Sequence, residues 1–174
     1  MSFVKLKKNK YADETAIYNL VKYCLDHDLF GYCITYLPVR YDFMQLNTEQ
    51  QLNEINYIAS FWNTFLNING RNRGRRCYHF IISLCDKKMK SYRCYAELIM
   101  YYLCELASEL QFPSITAYHV NEYGNHHVHF VIGIININGE SWYDTNLSVL
   151  NISNYLQNRT RKEFHVVNDE WIEL

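Results

Sequence analysis

A chain of 174 residues, 49% apolar and 20% charged, is expected to form one globular domain over residues 1–174 and excludes a disordered or fibrous chain. Its net charge of −1 does not mark a broadly basic nucleic-acid binder, and no apolar run approaches the length of a membrane span. The stretch from Met1 to Lys10 is too polar and basic for a secretory signal, so a cytoplasmic location without membrane attachment is expected.

In chain order, Lys5, Lys7, Lys8 and Lys10 first form a basic cluster. Asp13 to Leu25 then reads as a helix with Ala16, Leu20 and Tyr23 or Cys24 on one side. Gly31 to Leu37 is aromatic and β-branched, the composition of a strand, and Pro38 ends it. Thr48 to Leu66 is a helix with cap residues Asn47 and Thr48 and the stripe Leu52, Ile55, Ala59, Trp62 and Leu66. The loop to Arg76 is rich in Asn, Gly and Arg; Arg71, Arg73, Arg75 and Arg76 crowd around Gly74. Cys77 to Cys85 alternates as a strand, with Tyr78, Phe80, Ile82 and Leu84 on one face and His79, Ile81 and Ser83 on the other. Lys87, Lys88, Lys90 and Arg93 follow, then a second long helix from Ser91 to Leu110. Local basic clusters of this kind bind phosphates without a basic total.

Pro113 opens a strand from Ser114 to Val120, and a polar turn through Gly124 leads to another, His127 to Ile132. Asn138-Gly139 is a hairpin signal before a short strand near Ser141 to Tyr143. Leu147 to Gln157 reads as a helix and Glu163 to Val167 as a final strand. Hairpin-connected neighbours predict an α+β fold, an antiparallel sheet of about five strands with helices packed on one face. The six cysteines show no Cys-x-x-Cys spacing and read as reduced, small core residues.

The chemistry concentrates at His127 and His129, which share one face of their strand because side chains alternate along it. His119 lies eight residues earlier, on the neighbouring strand. If the two strands pair, three neutral imidazoles meet, a donor set suited to a divalent cation. Other histidine sites fail on spacing. A histidine-triad nucleotide hydrolase needs a third alternating histidine, but Asn125 and Val131 flank the pair. A cupin needs glutamate where Gly133 stands. No His-Glu-x-x-His helix and no Walker phosphate loop is present.

The segment from Ala117 to Ile132, Ala-Tyr-His-Val-Asn-Glu-Tyr-Gly-Asn-His-His-Val-His-Phe-Val-Ile, resembles the metal-binding motif of the relaxase/mobilisation nucleases, the HUH-type single-strand DNA endonucleases. That family places a histidine eight residues before the pair and an Asn near a Gly after it, here Asn136 and Gly139. The strand Tyr78 to Leu84, containing Ser83 and following the loop from Gly70 to Arg76, resembles its second motif. Ala16 to Leu25 resembles the helix carrying the nucleophilic tyrosine. The resemblance covers about Ala12 to Tyr143. It departs where the family often has an acidic residue two after the first histidine; here Asn121 stands there, beside Glu122.

The resemblance implies a relaxase-like HUH fold and a plasmid or mobile-element mobilisation enzyme. Such an enzyme nicks and rejoins single-stranded DNA at an origin of transfer or hairpin, through a 5′-phosphotyrosyl intermediate, with accessory mobilisation proteins as partners. His119, His127 and His129 would hold Mg²⁺ or Mn²⁺. Tyr23 would be the nucleophile, with Tyr18 and Tyr155 as alternatives among 16 tyrosines. Arg71, Arg73, Arg75, Arg76, Ser83, Lys87 and Lys88 would contact DNA. A rolling-circle replication initiator, an HUH transposase or a non-catalytic DNA-binding mobilisation protein would share the fold. The chain would be a small stand-alone nuclease or a nuclease fragment.

Overall fold

The computed structural model describes residues 2–7, 11–26, 29–71, 73–85, 91–141 and 149–166. In chain order these form β1 (Ser2–Leu6), α1 (Glu14–Leu25), β2 (Leu29–Thr35), a 3-10 turn at Phe43–Gln45, α2 (Thr48–Ile68), β3 (Cys77–Leu84), α3 (Tyr92–Glu109), β4 (Ser114–Val120), β5 (His126–Gly133), α4 (Val149–Thr160) and β6 (Phe164–Val166). Local chemistry sets the starts of the first three helices. The Asp13 carboxylate accepts from the Ala16 N–H and starts α1. Asn47 and Gln50 form a reciprocal capping box at α2, and the Ser91 hydroxyl caps α3. Of the expected strand at Ser141 to Tyr143, Ser141 bridges Ile135 and the rest lies outside the described residues.

The sheet has six strands in the order β2-β4-β5-β3-β1-β6. It is mixed rather than purely antiparallel: β6 runs parallel to β1, and the other neighbours are antiparallel. A parallel pair needs a crossover, and α4, which packs on β1, leads directly into β6. The strand β1 is not legible in the sequence. Its alternation is masked by Lys5, which points to the same sheet face as Ile81 and is buried there, not solvated in a basic cluster.

Helices cover both faces rather than one. On one face, Tyr78, Phe80, Ile82, Val128, Phe130 and Ile132 pack against Ile99, Leu103 and Ala107 of α3 and Ile152 and Leu156 of α4. On the other, Ile115, Ala117 and Val131 pack beneath Ile17, Leu20 and Val21 of α1 and Ile58, Trp62 and Leu66 of α2. A strand flanked on both sides by strands and on both faces by helices is buried throughout, and β5 is nearly so. The two central strands therefore read as almost continuous apolar runs interrupted by histidine.

The cysteines correct a second expectation. Cys33 of β2 and Cys104 of α3 form a disulfide, while Cys24, Cys77, Cys85 and Cys94 are not disulfide-bonded. Pairing of Cys33 with Thr116 turns its side chain toward α3, a proximity that a separation of 71 residues hides from sequence spacing. Among the described residues no helix is long and apolar enough to cross a membrane.

Phe130 is fully buried at the middle of the sheet, against Phe80 and the α3 layer. Phe130→Ala should cost about 3–5 kcal/mol of stability, since it removes a fully buried ring and leaves a cavity between the sheet and α3. A urea titration of both proteins reads this directly; an unchanged midpoint would contradict the packing described.

Candidate metal centre

Register brings the histidines together. His119 pairs with His127 across the β4–β5 ladder, and Ala117 pairs with His129. The turn between the strands is closed by Asn121. Its side-chain oxygen accepts the N–H groups of Tyr123 and Asn125, and its carbonyl accepts that of Gly124, which takes φ +73. Asn121 therefore serves the turn where the resembling family often has an acid, and Glu122 is exposed. Asn136 closes the Gly139 turn in the same way at the opposite end of β5, so this pair shapes a hairpin and does not face the histidines.

One ligand nitrogen from each of His119, His127 and His129 lies within 4.8 Å of the others, and the set can hold a metal ion. A further contact of each ring orients it. His119 Nε2–H donates to the Cys24 carbonyl at 2.9 Å, which leaves Nδ1 as the nitrogen with a lone pair. Cys24 belongs to the last turn of α1, where carbonyls have no intrahelical partner, so the imidazole also caps the helix. His127 Nδ1 lies 3.3 Å from the Asn125 carbonyl. His129 Nδ1 lies 2.7 Å from Nε2 of His79, and its Nε2 is buried without a hydrogen-bond partner among the described residues. A buried polar atom of this kind costs about 1–3 kcal/mol unless a ligand meets it. His126 points to the opposite face, stacked on Tyr92 and bonded to the Tyr118 hydroxyl, as the alternation requires.

Burial sets the protonation of the cluster. It holds His129 well below the ordinary imidazole range and lowers His127, each reinforced by neighbouring histidines. His79 is pushed down to about 3, by burial first and then by the Lys7 charge. His127, His129 and His79 are therefore neutral at neutral pH, and for His127 and His129 that is the form that binds a cation.

Tyr23 stands over this cluster. Its ring centroid is 5.1 Å from His129, 5.9 Å from His119 and 6.5 Å from His79, and half of the residue remains exposed, at 51%. Burial of the rest, with Cys24 adding, raises its phenol pKa, so the hydroxyl is protonated at neutral pH. Tyr18, five residues earlier, is turned about 140° around the helix and lines a cleft with Asn56, Ser60 and Asn63 of α2. Tyr155 is on α4, across the sheet, where its hydroxyl donates to Glu105 and Arg159 covers its ring. The structure brings Tyr23 to the histidines and leaves the other two apart from them.

Two open clefts flank Tyr23. One, of about 420 Å³, is lined by Phe3, Lys7, Ser83, His127 and His129; the other, of about 570 Å³, by Lys7, Tyr11, Asp13, Asn19 and His79. Ser83 pairs with His127 and lines the first cleft beside the cluster. The arginine loop does not. Cys77, where it ends, is four residues along β3 from Ile81, the partner of His129, roughly 13 Å at about 3.3 Å per residue. Arg76 is buried, its guanidinium donating to Asn63 and Asn67 of α2, and is a structural cation rather than a DNA contact. Arg75 stacks on Tyr78, and Arg71 and Arg73 are exposed. Lys87 and Lys88 lie outside the described residues.

Sequence reasoning missed His79, Tyr11 and Lys7 as parts of the site. The alternation of β3 already placed His79 on the face of Ser83, but nothing local placed β3 beside β5. No protein-family model, curated protein or solved structure matches the chain.

The depressed imidazoles make metal-free stability pH-dependent. Below the ordinary value of 6.5 the unfolded chain binds protons that His127, His129 and His79 in the fold refuse. Stability should be complete above about pH 6.5 and fall as pH drops from there, levelling off only below the folded values. Denaturant midpoints at pH 7.5 and 5.5, above the range where most carboxylates titrate, would measure it; equal midpoints would contradict the burial of neutral histidines.

Proposed function

We propose that this chain is a metal-dependent single-strand DNA nicking and strand-transfer enzyme of the HUH relaxase type. The observation that carries the reading is Tyr23 packed against a three-imidazole cluster at the mouth of two open clefts. A sheet with the histidine pair on a central strand and the first histidine on its neighbour is compatible with that architecture.

His119, His127 and His129 would hold Mg²⁺ or Mn²⁺, and a bound ion supplies Lewis acidity toward a phosphate oxygen. The phenol oxygen of Tyr23 attacks the scissile phosphorus. The new Tyr–O–P bond forms as the bond from phosphorus to the 3′ oxygen breaks, and the phenol proton ends on that oxygen. The products are a 5′-phosphotyrosyl protein and a free 3′-hydroxyl, and reversal rejoins the strand. Because its pKa is raised, Tyr23 needs its proton removed during attack rather than before it. Lys7, which lines both clefts, would meet the phosphates flanking the scissile one. The substrate is single-stranded DNA at a transfer origin or hairpin, with accessory mobilisation proteins and a cytoplasmic site of action.

Incubation of the full chain with Mn²⁺ and a pool of labelled single-stranded oligonucleotides should give a covalent protein–DNA adduct on a denaturing gel. Tyr23→Phe should abolish it, and EDTA should do the same. An undiminished adduct in the variant removes Tyr23 from the role; no adduct from the native chain on the pool removes the nicking reading. In DNA-binding titrations, Lys7→Ala should make the slope of log affinity against log salt shallower by about 1, the loss of one phosphate contact.

A further inference from the structure

We infer that His79 and Tyr11 are positioning residues for the metal: together they select the nitrogen that His129 offers to the ion. The inference rests on the metal-centre reading and not on the DNA chemistry.

Three groups stand in one hydrogen-bonded line. The Tyr11 hydroxyl is 2.9 Å from His79 Nδ1, and His79 Nε2 is 2.7 Å from His129 Nδ1. A neutral imidazole carries one N–H and one acceptor nitrogen, so protons along the line can be ordered in two ways. In the first, the Tyr11 O–H donates to His79 Nδ1 and His79 Nε2–H donates to His129 Nδ1. The His129 proton then sits on Nε2, buried with no acceptor among the described residues. In the second, His129 Nδ1–H donates to His79 Nε2, and His79 Nδ1–H donates to the Tyr11 oxygen. His129 Nε2 then presents its lone pair beside His119 and His127. A bound cation stabilises only the second order, and His79 is the acceptor that makes it available.

The line is anchored at its outer end. Tyr11 has a left-handed backbone, φ +42, costly for a non-glycine residue. Its carbonyl accepts the N–H of Arg76, whose guanidinium is bonded to Asn63 and Asn67 of α2. The Tyr11 hydroxyl is thus held by the α2 scaffold rather than by a loose loop. The chemistry of the acceptor has a consequence as well. Metal-bound histidines usually donate to a carboxylate or carbonyl, and a carboxylate makes the ligand more basic. A neutral imidazole donates less charge, leaving the ion more electrophilic and more weakly held.

Three variants of the full chain test this through Mn²⁺ affinity, read by the loss of the free-ion electron-spin-resonance signal. His79→Phe keeps a ring and removes the acceptor; it should weaken Mn²⁺ binding by about 10–100-fold. His79→Gln, whose amide oxygen can accept the same N–H, should restore most of that loss. Tyr11→Phe deletes one oxygen and keeps the ring; losing one hydrogen bond should weaken binding by about 2–10-fold. Native affinity in His79→Phe, or in Tyr11→Phe where His79→Phe does not fold, overturns the inference. Equal losses in folded His79→Phe and His79→Gln also overturn it, since a merely structural ring would behave that way. Absence of Mn²⁺ binding by the native chain overturns both this inference and the metal-centre reading. Mn²⁺ binding with the expected variant order but no DNA adduct overturns the nicking reading alone.

Discussion

His119 faces His127 across the β4–β5 ladder because Asn121 closes the turn between them with two side-chain hydrogen bonds. The alternation of side chains makes this register all-or-none. A slip of one residue would send His127, His129 and Val131 to the α3 side and bring His126, Val128 and Phe130 beneath α1. Two buried apolar layers oppose that slip, since each face has its own matched set of partners. The eight-residue gap between His119 and His127 is the length of chain this hairpin consumes.

The two faces of the sheet divide the work. The face under α3 and α4 is mostly apolar, from Tyr78 to Ile132, with Ser114 and Thr116 of β4 the polar residues buried beside Ile132 and Phe130. The face under α1 and α2 carries Lys5, His79, His119 and His129 among its buried residues. Burying polar groups is costly unless they are bonded, and the histidines meet that cost through one another, through Tyr11 and through the end of α1. The same bonds that make the polar face tolerable set the orientation of the donor nitrogens.

Helix α1 is where cluster and tyrosine become one unit. Its last turn gives the Cys24 carbonyl to His119, and the residue before Cys24 is Tyr23. Just before its first turn, Tyr11 holds His79, which holds His129. The end of α1 is thus bonded to one candidate ligand directly, and the segment before α1 reaches a second through His79. The height and tilt of the Tyr23 ring over the cluster are therefore set by the same contacts that set the ligands.

The identity of the donor set was legible in the amino-acid sequence: alternation placed His127 and His129 on one face, and spacing put His119 on the adjacent strand. So were both long helices and their caps, because capping and helical periodicity act over a few residues. The partners of the donors were not. His79 and Lys7 sit on strands whose place beside β5 depends on long-range pairing, and β1 was hidden by its own lysines. The arginine loop is conspicuous as sequence, yet Arg76 is consumed in holding α2. The Cys33–Cys104 bond joins residues that only the stacking of α3 on β2 and β4 brings together. By itself, then, the sequence determined the histidines and the face they share, since that follows from the two-residue period of a strand. Which tyrosine meets them, which histidine orients them and which cations reach the cleft were decided by the tertiary structure, because those contacts depend on the order of strands and the docking of α1, which no local pattern encodes.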